Sequence, residues 1–300
     1  MGQPAVANSA AADVTRLLLV AADVPDALRP LPAGYRPLYR NVLTAATADD
    51  RIRAMWLSGS LGRGVADAGS DLDVVLAVAA HSFDDFAATW RNWLAAVTPT
   101  VLAKELPGLP GSWYSVTPSC LRLDVVAERA GSATAEQLSW RLLVLDKDGT
   151  PAAAAPEASG PQPWPGPDAA SLAAMIDEFL RQQALFPAAV VARADWLLGV
   201  VGVQTVQLML YQLFVESNQP LPPMGVKQWS AKLTLEQRQI CAGLPAATAD
   251  RDGVLTAMCA AATAFRQAAR QVLTANGVPW PADFDQAVRS YCQSELGWPG

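Results

Sequence analysis

Residues 56–78, WLSGSLGRGVADAGSDLDVVLAV, decide how this chain reads. The segment starts as an apolar strand, breaks at a Gly59-Ser60 turn, and crosses a loop punctuated by Gly62 and Gly64. It then re-enters an apolar run at Ser70-Asp71-Leu72-Asp73. Side chains alternate across a strand, so Asp71 and Asp73 share one face while Leu72 takes the other. Residues 74–78 are apolar on both faces, the pattern of a central, covered strand. Two carboxylates at the mouth of a buried strand repel each other and resist desolvation, and a divalent cation between them relieves both problems. Hard oxygen ligands that leave positions for phosphate and water suit Mg²⁺.

The turn has a matching chemistry. Gly59 lets the backbone approach a ligand closely, and Ser60 offers an N–H and a hydroxyl. Gly62 and Gly64 keep the loop open, and Arg63 brings a planar fork that fits phosphate. No Gly-Lys-Ser/Thr follows, so this is not a Walker A loop, and it is not a G-x-G-x-x-G fingerprint either. A phosphate cradle shortly before a metal-binding pair points to phosphoryl or nucleotidyl transfer. Asp124, within Leu-Arg-Leu-Asp-Val-Val, is a third acid in an apolar strand. It either binds a second metal ion or accepts the proton of an attacking hydroxyl. The plainer readings are a capping turn with a solvated strand end, Asp124 paired with Arg122, and Arg63 as a solvated cation. His81, the single histidine, reads as a loop residue and excludes multi-histidine metal sites and triads.

Gly59-Ser60, ten residues, Asp71-Leu72-Asp73 and the later strand acid Asp124 together resemble the DNA polymerase β-like nucleotidyltransferase superfamily. GSLGRG…SDLD is similar to its small antibiotic-modifying members, the aminoglycoside and lincosamide nucleotidyltransferases, which join this domain to a helical C-terminal one. The resemblance is specific over residues 50–130 and architectural over 168–300. It implies that Ser60, with Gly59, Arg63 and Ser70, binds a nucleoside triphosphate, ATP foremost. It further implies that Asp71 and Asp73 hold magnesium, two ions in all, with Asp124 as third ligand or base. In several antibiotic-modifying relatives the base is a glutamate. The segment PPMGVKQWSAKL is similar to an element that places a lysine on the nucleotide, which implies Lys227. The activity so implied is transfer of AMP from ATP to a hydroxyl of a small molecule, such as an aminoglycoside or lincosamide. A toxin–antitoxin-type enzyme acting on protein or tRNA, and a silent nucleotide-binding module, are the alternatives.

Composition sets the frame. The chain has 300 residues, 51% apolar and 17% charged, which is enough to bury a real core. Asp and Glu number 28 against 22 Lys and Arg, a balance that repels a phosphate backbone and disfavours extended nucleic acid. It suits a cationic small partner or a carboxylate site that needs metal. Four cysteines without C-x-x-C spacing read as thiols of a reducing compartment, and the N-terminus shows no signal-peptide pattern, so a cytoplasmic location is expected. Residues 196–215 carry no charge and are long enough to span a bilayer. Gln204, Gln207 and Gln212, however, fall within about 140° on a helical wheel, which favours a buried bundle helix over a membrane span.

The organisation expected is α+β, a mixed-sheet domain followed by an all-α bundle. Strands are read at 52–57, 72–78, 112–116, 121–126 and 141–145, with a helix at 83–97. The first domain covers 1–148, with its core at 36–148 behind a helical N-terminal lead. A Pro/Ala/Gly-rich linker occupies 149–167. Helices are read at 171–185, 188–217, 235–242, 254–276 and 282–295, within a domain covering 168–300. The expected site is a cleft between the domains, holding NTP·Mg²⁺ and the acceptor, in a monomer or homodimer.

Overall fold

The structure, a computed structural model, describes residues 24–149, 167–221, 224–225 and 227–298. It falls into two compact units, Met1–Gly160 with Pro223–Gly225, and Pro161–Pro222 with Val226–Gly300. The start of the N-terminal lead (1–23) and the linker, apart from Gly149 and Pro167, lie outside the described residues.

The first unit is a mixed sheet of six strands: β1 (Ile52–Leu57), β2 (Leu72–Val78), β3 (Leu102–Glu105), β4 (Trp113–Val116), β5 (Arg122–Arg129) and β6 (Leu142–Asp146). Their order is β3-β4-β5-β2-β1-β6, antiparallel throughout except for the central β2–β5 pair. Helices α1 (Tyr35–Ala48) and α3 (Phe83–Val97) cover one face, and the single-turn helices α2 (Gly59–Gly62) and α4 (Ala135–Ser139) sit in connections. Alternation explains the core. Met55 and Leu57, Leu72, Val74, Leu76 and Val78, and Leu123 and Val125 all bury against Leu38, Val42, Phe86, Trp90 and Leu94 of the helices. Trp113 anchors β4 there, stacked on Trp90 with ring centroids 4.8 Å apart. The opposite face carries Trp56, Asp73, Asp124 and Glu128, all only partly covered. The strand read at 121–126 extends to Arg129, and β3 was not expected at all. Its sequence, Leu-Ala-Lys-Glu, is an exposed edge with no alternation to betray it.

The second unit is a helical bundle of α5 (Ala169–Phe186), α6 (Trp196–Ser217), α7 (Leu235–Gly243), α8 (Arg251–Ala275) and α9 (Ala282–Leu296). The single helix expected over 188–217 is in fact interrupted. A π-helical turn at Pro187–Val191 is followed by Ala194 at φ 52°, and the Asp195 carboxylate then caps α6 by accepting from Leu198 N–H at 3.0 Å. Helix α6 is the one described helix long and apolar enough to cross a membrane. It buries Gly199, Val203, Val206, Leu210 and Leu213 in the bundle core and exposes Gln204 and Gln212. Gly199 lets α6 and α8 approach closely, since a β-carbon there would lie 2.6 Å from Val254 Cγ1. Asp285 on α9 is buried but satisfied, accepting from Arg266 Nε at 2.9 Å, Arg270 Nη2 at 2.9 Å and Trp280 Nε1 at 3.1 Å.

Candidate active site

The parallel pairing of β2 with β5 sets Asp73 opposite Asp124, on the face the helices leave open. Asp71 stands one residue ahead of β2 and is 9% exposed. Each of the three carboxylates offers an oxygen, and those oxygens lie within 4.8 Å of one another. Three negative charges so close, with one nearly buried, form an all-oxygen donor set matched to a hard divalent cation.

The turn after β1 is fastened to the same place. Ser58 N–H donates to the Asp73 carbonyl at 3.0 Å, drawing the chain over the mouth of β2. Gly59 then adopts φ +57°, and a β-carbon there would sit 1.9 Å from Asp73 Oδ2 and 2.7 Å from its Cγ. Only glycine lets the turn lie flush against the carboxylate. What was read as an open loop is one helical turn, α2, closed by Gly62 N–H on the Ser58 carbonyl and Val65 N–H on the Ser60 carbonyl, both at 2.9 Å. Ser60 Oγ is buried without a hydrogen-bond partner. A hydroxyl left in that state costs about 1–3 kcal/mol, and a phosphate oxygen would satisfy it. Gly62 has its own constraint, because a β-carbon would lie 2.2 Å from the Trp140 carbonyl oxygen.

The remaining sequence candidates occupy varied positions. Arg63 follows α2 as its C-terminal cap, half-buried. Ser70 closes the loop that delivers Asp71: its hydroxyl accepts from Asp67 N–H at 3.0 Å and donates to Asp67 Oδ1 at 3.1 Å. Lys227 lies in the second unit, in the turn just before the 3₁₀ turn Ser230–Lys232. His81 is exposed in the turn Ala80–Ser82 after β2. Arg122 pairs with Asp71, at 3.3 Å between Nη1 and Oδ2.

Two features of this face went unread in the sequence. Tyr114 on β4 is the cross-strand neighbour of Asp124. Glu128, four residues along β5 on the same side, takes Arg141 in a two-armed pair at 2.7 and 3.0 Å, with the guanidinium over the Trp56 ring. The alternation in Asp-Val-Val-Ala-Glu, followed past Val126, is the signal for Glu128. An open groove of about 700 Å³ beside α8, lined by Leu255, Cys259, Thr263, Leu296 and Trp298, has no carboxylate or base in its lining.

No family model matches the sequence, and no curated protein matches it. Among solved structures, that of an aminoglycoside 6-adenyltransferase from Bacillus subtilis is similar over 85% of this chain and 96% of that chain, at 15% identity and a TM-score of 0.41.

Proposed function

We propose that the chain is a nucleotidyltransferase that moves AMP from ATP to a hydroxyl of a small molecule. The observation that carries this reading is the convergence of Asp71, Asp73 and Asp124 within 4.8 Å, against a glycine turn whose serine hydroxyl is buried and unpartnered. The three aspartates would hold magnesium, which when bound supplies charge neutralisation and Lewis acidity toward the triphosphate. Ser60 donates its hydroxyl hydrogen to a phosphate oxygen, and the Gly59 backbone lets that phosphate come close. Arg63 adds positive charge to the triphosphate, and Ser70 holds the loop that carries Asp71. In the reaction the acceptor oxygen forms a bond to the α-phosphorus while the bond to the bridging oxygen breaks, releasing pyrophosphate. The acceptor's proton goes to a carboxylate. Asp124 is in reach if it is not occupied as a ligand, whereas Glu128 is engaged by Arg141.

The excess of acid over base favours a cationic acceptor, and the motif resemblance favours an aminoglycoside or lincosamide. The separated, unbridged cysteines fit a reducing cytoplasm. The test is mass spectrometry of panels of hydroxylated antibiotics incubated with each NTP and Mg²⁺, run beside a pyrophosphate assay. A nucleotide mass increment on a small acceptor, absent with Asp73→Asn, is the expected result. Pyrophosphate release with the adduct on protein or tRNA would move the reading to the regulatory class. No adduct and no pyrophosphate with any acceptor would refute it.

A further inference from the structure

Of the three clustered acids, Asp71 is the one that no strand holds. The β2–β5 ladder begins at Leu72 opposite Leu123, so Asp73 and Asp124 are fixed by sheet register while Asp71 ends a loop. Three like charges within 4.8 Å repel, and Asp71 is the one of the three whose backbone is not paired in the ladder. Arg122 opposes that repulsion. Alternation along β5 puts its side chain on the same face as Asp124, and its fork grips one loop at two points: Nη1 lies 3.3 Å from Asp71 Oδ2, and Nη2 donates to the Gly69 carbonyl at 2.7 Å. Its backbone N–H donates to Tyr35 Oη on α1 at 3.2 Å, so the start of β5 is itself anchored. The Asp71 side chain is 13% exposed, so its ion pair with Arg122 is largely sheltered from water.

We propose that Arg122 is a positioning residue that clamps Asp71 in the orientation needed to bind a divalent cation. The inference rests on the metal-site reading above. Groups that orient a metal's ligands typically contribute about 10–100-fold to metal affinity. Arg122 acts through Asp71 and the Gly69 carbonyl together, so its planar fork matters as well as its charge.

Charge and position make opposite demands, which gives the test its power. A cation beside a metal site weakens metal binding by repulsion. If charge were the whole effect, Arg122→Gln would bind metal more tightly and Arg122→Lys would be unchanged. If Arg122 positions Asp71, Arg122→Gln weakens binding at least about 10-fold and Arg122→Lys rescues it only in part. Mn²⁺ titration of the full chain, followed by electron paramagnetic resonance and by the metal-induced rise in Tm, reads this without activity. Unfolding in EDTA should show the variants within a few degrees of the native chain. Should Arg122→Gln fail to fold, Tyr35→Phe removes the anchor of the Arg122 backbone while keeping the ring, and a several-fold weaker Mn²⁺ site is expected. Unchanged or tighter Mn²⁺ binding in Arg122→Gln, or in Tyr35→Phe where that stands in, overturns the inference. Failure of the native chain to bind Mn²⁺ would instead overturn the metal site itself.

Discussion

Gly59→Ala perturbs the site through a single added methyl group, and Gly64→Ala is its internal control. Both glycines have positive φ, +57° and +69°, so alanine at either position costs about 1 kcal/mol of backbone strain. Their surroundings differ. The new β-carbon at 64 meets nothing within 4 Å, whereas at 59 it would fall 1.9 Å from Asp73 Oδ2 and 3.1 Å from Asp73 Cβ. The Asp73 backbone cannot retreat, because its carbonyl holds Ser58 N–H and its strand pairs with β5. Rotation about χ1 is the escape, and it carries the carboxylate out of the cluster. Loss of one of the three proposed cation ligands should reduce kcat/KM by about 100-fold or more, on the order of 3 kcal/mol of transition-state stabilisation. Gly64→Ala should lose stability alone. Thermal unfolding, Mn²⁺ titration and nucleotide transfer measured on both variants separate strain from displacement. Equal metal affinity and equal turnover in the two would refute the claim that Gly59 exists to seat Asp73.

Four further substitutions have defined outcomes. Gly199→Ala should destabilise by roughly 1 kcal/mol, since overpacking against Val254 and Val190 exceeds the gain in helix propensity. Gly202→Ala, whose β-carbon meets only Met258 Cε at 3.4 Å, should stabilise by about 0.5–1 kcal/mol, and urea melts that fail to separate the two would contradict the packing argument. Asp285→Ala should cost about 3 kcal/mol by stranding Arg266 beneath α9; a loss under about 1 kcal/mol would mean that water serves that guanidinium equally well. Asp49 is opposed by burial, yet its carboxyl is held below the usual carboxylate range by hydrogen bonds from the Arg51 side chain and backbone. A lowered folded pKa stabilises above the ordinary carboxylate pKa and is lost as pH falls, so the penalty of Asp49→Asn should shrink below about pH 4, and a constant gap from pH 7 to pH 3 would exclude this linkage.

The decisive segment was legible because its signals are local. Alternation in residues 72–78 and the three-to-four spacing of Phe83, Phe86, Trp90 and Leu94 mark elements that the structure places at Leu72–Val78 and Phe83–Val97. Non-local choices were legible only in part: Asp124 joined the pair by residue type and resemblance, not by any visible strand pairing. That Asp124 lands beside Asp73 depends on β5 adding to β2 in parallel, and Arg122 turns to Asp71 because the neighbouring loop, absent from its own strand's pattern, brings that acid within reach. The break before α6 was hidden among alanines and valines that favour neither side, and Asp195 decides it by capping. The helix at Gly59–Gly62 read as a loop because its glycines answer to close contacts, which sequence alone does not reveal.

The register of β2 against β5 also governs when this chain becomes competent on its way to the folded state. Residues 79–121, including a whole helix and two strands, separate the two partners, so their pairing closes a long loop and raises the contact order of the fold. Until β5 joins β2 in this register, Asp124 is not set beside Asp73 and the three carboxylates are not gathered. A slip of β5 by a single residue would turn Asp124 into the apolar layer beneath α1 and α3, and would bring Leu123 or Val125 to the open side. A cation held at the proposed site would therefore proofread the sheet: it would draw the population toward the one pairing that assembles the carboxylates, and leave misregistered chains unrewarded.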